Sequence, residues 1–548
     1  MISFLEIIMT NLHDIERIDH SKYRLIGRSV LTYRFIAPYD STLYIGDIKK
    51  ITDDTKGVVF FAKITDLSHD SNFADTRWDT RVYAEQFYGL GEDVFITVDA
   101  VPLGFVDNAD GKFHKPRMIP SKFSRVEDPN ALDFRFLTEQ MGEIEVGLMR
   151  SGQDVIRDVA VRIPARVLPQ HMGVFATTGM GKSNFMKTFC ASCMNEKKFG
   201  VLIVDPHGEY VSGGRSSIGE PTGGLVHYTA GREGLAIFTI RPEADRKKYG
   251  MNRLWIEYDD FKIGDLSILY DLSAAQHEIV EAFSGVEGSE IINFFRTVDP
   301  EIFPVRDPAA AGIMEGSLAW KIRNSMGGPV RVIKSHIDNI VNGNGAFFRS
   351  RGSSIPEIIS NLHEDRVVLI DIPDMSERSE LFVLSIITRM IMERHRSEAR
   401  GFGIDERREQ THQVLITIEE AQRVLASGGS STQVFRECAM EGRKFGVGLC
   451  VITQQPKNVD PKVLAQINTF VVMGLGDRGD RDIIMGSAKQ DLSKMEIEIQ
   501  TLDRGEAIIS TIGIPFPVST RIHKFEDYIA VLNSEKRSSL SEGLERSF

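Results

Sequence analysis

Between an apolar run and a helix-patterned one, "VFATTGMGKSNFMKTF" (174–189) sets Gly179, Gly181, Lys182 and Ser183 within five residues. That spacing suits phosphate chemistry. Glycine lets the main chain pass close to a ligand with no Cβ in the way. Backbone N–H groups at a helix N-terminus favour phosphate oxygens. Lys182 is then the group that reaches β- and γ-phosphates, and Ser183 the hydroxyl that meets Mg²⁺. The expected nucleotide contacts are Thr178, Gly179, Met180, Gly181, Lys182, Ser183 and Asn184, with ATP and Mg²⁺ as cofactors. In the pattern Gly-x-x-x-x-Gly-Lys-Ser/Thr, Ala176 replaces the first glycine; alanine is tolerated there if φ stays negative. The competing explanation is a chance lysine in a Gly-rich turn, and the flanking strand and helix patterns argue against it.

Hydrolysis needs an acid beside the metal and a base for water. "VLITIEEAQ" (414–422) supplies both at the end of an apolar strand: Glu419 on the metal side and Glu420 as the base. "EGRKFGVGLCVITQQP" (441–456) then reads as helix, strand and polar tip. Its Thr453, Gln454 and Gln455 face the γ-phosphate, because open α/β sheets bind ligands at strand carboxyl ends. Arg443 and Lys444 precede that strand. The Arg443 guanidinium is either a group that reaches across a subunit boundary or a cation on a helix C-terminus.

The elements that must carry these groups are legible as rhythm. "MGVFA", "VLIVD", "AIFTI", "VVLIDI", "VLITI", "VGLCVIT", "FVVMGL" and "AIIST" are compact apolar strands separated by helical patterns. They predict an α/β domain with a mostly parallel sheet covered on both faces. "SAAQHEIVEAF", "SEIINFFRTV" and "MEGSLAWKIRNSM" predict a helical insertion over about 265–360. Upstream, "RSVLTYRFI", "TLYIGD", "GVVFFAKI", "DVFITVDAV" and "GEIEVG" predict a small antiparallel barrel or sandwich, with "NADGKFHKP" a hairpin turn or loop. The expected division is a barrel over 1–165, the α/β core over 166–522 and a polar tail over 523–548.

A chain of 548 residues calls for more than one domain. Its net charge of −12 argues against a uniformly basic nucleic-acid surface but leaves room for a local basic channel. Two stretches are candidates: "IRPEADRKKYGMNR" (240–253), with Arg246, Lys247 and Lys248, and "WKIRNS" (320–325). Such loops contact phosphates without reading bases; a solvated face is the alternative. Cys190 and Cys193 have zinc-like spacing, but no second pair exists among four cysteines, so they read as buried thiols. No apolar run approaches the roughly 20 residues of a membrane span. "MISFLEIIMTNL" lacks the basic start of a signal peptide. A cytoplasmic protein without membrane contact is expected.

Taken in order, "VLIVDPHGEY", "EEAQ", "EGRKFGVGL", "TQQP" and "LAQINTFVVMGL" resemble the HerA family, hexameric DNA translocases of the FtsK-HerA group of phosphate-loop ATPases. The likeness spans nearly the whole chain: "IGRSVLTYRF", "YIGDIKKI" and "IEVGLMRSG" look like that family's small barrel, and "GEAIISTIGIPFPVSTRI" like its closing strands. It implies a RecA-like core, ATP and Mg²⁺ at Lys182 and Ser183, Glu420 as catalytic acid-base and Glu419 assisting the metal. It further implies Gln454 as sensor, Arg443 as a finger supplied in trans, and Asp205 as a second acid near the site. A homo-hexamer moving duplex DNA regardless of sequence is the implied motor. Its implied partner is a NurA-like nuclease at DNA ends or, alternatively, a nuclease or NAD-hydrolysing effector of an anti-phage defence complex. Two positions depart from the family: Gln422 stands where histidine is usual, and Ala176 where glycine is usual. An ABC-type ATPase is disfavoured because "LASGGS" (425–430) follows the acid pair, whereas the ABC signature precedes it. A non-hydrolysing, nucleotide-gated scaffold is the remaining rival.

Overall fold

A computed structural model describes residues 23–27, 29–71, 94–215, 219–401, 412–426 and 433–545. Eight parallel strands run in the order Asn252–Arg253, Leu235–Thr239, Val367–Asp371, Gly200–Asp205, Val414–Ile418, Val447–Thr453, Met172–Phe175 and Thr469–Val472. Four antiparallel strands extend the sheet: Glu506–Thr511, Val518–Ile522, Ile144–Ser151 and Asp154–Ile163. The central parallel strands are buried at every residue. That is why they read as unbroken apolar runs: helices cover both faces.

Residues 23–127 build a separate antiparallel sheet. Tyr33–Pro38 pairs with Tyr23–Leu25, which continues through Arg125–Glu127, Ile48–Asp53 and Val58–Ser71 to Val94–Asp107. Val94–Asp107 pairs back onto Tyr33–Pro38, so six strands close on themselves. "NADGKFHKP" makes a hairpin to Phe113–His114, with Gly111 at φ 68°.

Two expected boundaries move. "GEIEVG" is not a strand of the closed sheet: Ile144–Ser151 pairs with Val518–Ile522, so the core begins near residue 144 rather than 166. Helices from Leu266–Leu269 to Ile355–His363 occupy the expected insertion, and a short parallel pairing of Ile256–Glu257 with Phe348–Arg349 ties its two ends together. Phe348 packs there against Phe261 and Phe382, a contact between segments far apart in sequence. The presumed tail is a helix, Phe525–Glu545, whose Phe525 and Ile529 are buried. The polar end of that segment hid the apolar spacing of its first two turns.

The closed sheet meets the core through buried charge. Lys63 Nζ donates to Ser519 Oγ (2.8 Å) and Glu498 Oε2 (3.3 Å), and Arg150 Nη2 donates to Glu498 Oε1 (3.0 Å). Burial alone raises the Glu498 carboxyl, but Lys63, Ser519 and Arg150 together hold it below the ordinary range. The four cysteines are free and buried.

Candidate nucleotide site

Met172–Phe175 ends at the loop and Lys182–Glu196 begins at its far side, with Gly179 and Gly181 at φ 85° and 105°. Both are left-handed positions that favour glycine. Ala176 is not among the residues with positive φ, so its departure from the pattern carries no backbone strain. Its carbonyl matters instead, accepting the Lys182 ammonium at 3.2 Å. Thr177 anchors the loop by donating its N–H and its hydroxyl to the Gly474 carbonyl (3.1 and 3.0 Å). Met180 lies over Gly474, where a Cβ would come within 2.5 Å of its methyl.

The acid pair projects from the end of Val414–Ile418, two strands away from the loop strand. Glu420 is held at φ 45°, a left-handed conformation costing about 1–2 kcal/mol for a non-glycine residue. Its carboxylate accepts from Gln422 Nε2 (2.7 Å) and Gln454 Nε2 (2.9 Å). Gln454 in turn accepts the Thr178 hydroxyl, which joins the acid to the phosphate loop. Burial pushes Glu420 up, but the two amide donors and the Lys182 charge outweigh it, leaving the carboxyl below its usual range. Gln422 also accepts the Thr453 hydroxyl at 2.6 Å. One amide thus donates to Glu420 and accepts from the neighbouring strand, filling the position with both polarities satisfied.

Glu419 behaves differently. It is partly buried, accepts the Tyr210 hydroxyl, and desolvation pushes it up to about 7. Two adjacent carboxylates are therefore split: one ionised, the other half-protonated near neutrality. Burial also lowers Lys182, against the pull of Glu420 and Glu419.

Asp205, expected as a second acid of the site, has another task. It is buried and accepts the backbone N–H groups of Glu209, Tyr210 and Val211 (3.1, 2.9 and 3.3 Å). It shapes the "DPHGEY" turn, and that turn delivers Tyr210 to Glu419 and Glu209 to the loop. Ser183 Oγ donates to Glu209 Oε2 at 3.2 Å. Sequence reading missed both residues, although "DPHGEY" was in view; only the turn geometry says which carboxylate comes forward. Asn184, expected on the nucleotide, spends its amide on backbone: it donates to the His523 carbonyl (2.8 Å) and accepts the Phe525 N–H (3.0 Å). It fastens the loop helix to the C-terminal helix.

Mg²⁺ takes hard oxygen ligands and keeps several waters. Ser183, Glu209 and Glu419 are all oxygen donors, and Ser183 and Glu209 are already in contact, so the residues fit that ion.

Arg443 lies at the opposite end of Val447–Thr453 from Gln454, in the turn Gly442–Phe445. At about 3.3 Å per residue, the strand alone separates them by roughly 20 Å. Arg443 and Lys444 are exposed. Their turn is clamped from Glu377–Gly401: His395 Nδ1 donates to the Phe445 carbonyl (2.8 Å) and Arg396 bonds Glu441 (3.0 Å). His395 Nε2 also lies 3.1 Å from His363 Nε2, and burial lowers both imidazoles, so they stay neutral.

The basic stretch 240–253 does not act as one unit. Arg241 forks onto buried Asp371 (2.7 and 3.0 Å), and Lys247 pairs with Glu243. In "WKIRNS", Lys321 donates to the Ala282 carbonyl and Arg323 stacks on Trp320.

A family model described as the central domain of helicase HerA matches residues 144–391. The DNA double-strand break repair helicase HerA of Sulfurisphaera tokodaii is 26% identical over 77% of this chain and 77% of its own length. A probable helicase of Methanocaldococcus jannaschii is 23% identical over 88% of this chain and 92% of its own. Among solved structures, the plasmid coupling protein TrwB with an ATP analogue aligns at TM-score 0.47 and 13% identity, over 72% of this chain and 92% of that one.

Proposed function

The chain carries the central domain of the HerA family, and from that premise we propose that it is an ATPase driving the movement of DNA. The supporting observation is the Glu420–Gln454–Thr178 connection, which ties an ionised base to the phosphate loop within one chain. Glu420 holds and polarises the attacking water. Lys182 leaves the Ala176 carbonyl for the β- and γ-phosphates. Gln454 contacts both base and loop, so the state of the γ-phosphate reaches Glu420 through it. Mg²⁺, when bound beside Ser183, offsets charge on the phosphates.

Arg443 is roughly 20 Å from its own pocket by strand length, so its proposed role is in the pocket of the next subunit. A ring of six around duplex DNA is the proposed assembly, with a nuclease as the proposed partner. Glu420→Gln keeps the hydrogen-bonding shape and removes the base. ATP binding, measured by fluorescent-nucleotide titration, is expected to persist while steady-state hydrolysis falls about 10²–10⁴-fold. Unchanged hydrolysis in that variant would leave only the scaffold reading standing.

A further inference from the structure

Folding brings Arg349 from about a hundred residues away onto the indole that already carries Arg253, with Arg246 close enough to Arg253 to act on its charge. The edge strand Asn252–Arg253 leads into Trp255, whose N–H donates to Ser354 Oγ (3.0 Å) and whose carbonyl accepts the Ser354 N–H (2.8 Å). These bonds, and the pairing of Ile256–Glu257 with Phe348–Arg349, seat the loop 344–354 against it. The Arg349 guanidinium then lies 3.5 Å from the Trp255 ring centre and that of Arg253 4.8 Å away. Gly352 makes room, because a Cβ there would sit 2.6 Å from Arg349 Nη2. Arg246 comes from the helix Glu243–Tyr249 and acts on Arg253 as a like charge; burial first, and then Arg246 and Arg349, lower the Arg253 guanidinium.

What this cluster lacks is an acid. Among the described residues, none of the three is ion-paired with a carboxylate, whereas Arg241 next door forks onto Asp371. Arg253 turns its donors to the backbone carbonyls of Ile240, Arg241 and Ala346. The Nε atoms of Arg246 and Arg349 are buried with no partner at all. The neighbouring carboxylates are engaged elsewhere: Glu257 accepts the Gly352 N–H (3.1 Å) and Glu357 the Asn252 amide (3.1 Å). Like charges gathered without a carboxylate repel one another, and an anion seated among them would offset that cost. Guanidinium forks stacked on an aromatic ring suit oxyanions with several oxygens, phosphate above all.

We propose that Arg253 and Arg349, stacked on Trp255, form with the neighbouring Arg246 a phosphate-binding site for the backbone of a nucleic acid. The proposal rests on the reading that this chain moves DNA. ATP is not the occupant: Leu235–Thr239 stands five strand intervals from Met172–Phe175, roughly 24 Å across the sheet. Lys248 and Arg351 are exposed on the segments that carry Arg246 and Arg349, whereas Lys247 pairs with Glu243. Phosphate contacts bind without reading sequence.

The test measures duplex affinity of the full chain by fluorescence anisotropy over a salt series. Arg246→Gln with Arg349→Gln is expected to weaken binding about tenfold and to lower the slope of log affinity against log salt by about 2. Arg246→Lys with Arg349→Lys guards against misfolding: it keeps the charge, so the slope should hold while affinity falls less. Arg306→Gln with Arg478→Gln removes equal charge from exposed positions elsewhere and should change neither. Equal affinity and slope in the glutamine pair overturn the site while leaving the DNA reading intact; an intact protein that binds no duplex sinks both. Loss of inorganic-phosphate binding with unchanged duplex affinity marks a free-anion site and overturns the nucleic-acid assignment.

Discussion

Carboxylates in two regions of this molecule are treated in opposite ways. At the junction of the closed sheet and the core, Glu498 meets Lys63, Arg150 and Ser519 and is held below its ordinary range. At the nucleotide site, Glu419 accepts the Tyr210 hydroxyl and has Asp205, Glu209 and Glu380 nearby, and burial pushes it up to about 7. At the junction, opposite charges meeting at close range make a fixed joint. Incomplete compensation leaves a charge deficit that a cation and its phosphates can fill, so stability is given up where binding is to occur.

The comparison breaks first at the pocket. Lys182→Ala should abolish detectable ATP binding and hydrolysis while leaving the melting temperature of the nucleotide-free protein within a few degrees; a collapse of the fold would make the lysine structural, like the junction. Next, Arg443→Ala should lower hydrolysis by about 10³-fold or more, and mixing it with Lys182→Ala should restore part of the activity, because each supplies what the other lacks. No recovery in the mixture removes the shared pocket.

At the junction, Glu498→Gln strands Lys63 without an anion and leaves Arg150 only Glu506, at 3.6 Å. Denaturant unfolding should show a loss of about 3–5 kcal/mol, with hydrolysis retained below the new transition.

Glu419 sharpens the contrast through pH. Its folded value near 7 lies above the ordinary 4.5, so folding takes up a proton between them. Its stabilising contribution is complete below pH 4.5 and is lost as pH rises to 7, a span of about 3 kcal/mol. Glu419→Gln should flatten that part of the stability profile in the nucleotide-free protein. Identical profiles for the two proteins would show that Glu419 titrates alike in the folded and unfolded chain. The smallest effect belongs to Asn184→Ala, about 1 kcal/mol or somewhat more from two lost backbone bonds between the loop helix and the C-terminal helix, with ATP affinity unchanged.

Much of this was readable in the chain itself. Strands buried on both faces need continuous apolar runs, so the parallel core announced itself, and the phosphate loop followed from two glycines that the backbone requires at positive φ. Local chemistry carries that information because each element satisfies its own backbone and period. Partnership does not work that way. That Asp205 shapes a turn, that Glu209 rather than Asp205 meets Ser183, and that Ile144–Ser151 joins the large sheet all depend on contacts across many residues. The basic stretch 240–253 shows it most clearly: folding withdraws Arg241 to Asp371 and brings Arg349 in from a hundred residues away. Sequence fixes the period and type of each element, whereas the compensation of a charge is set by whichever groups the tertiary fold places within a few ångströms of it.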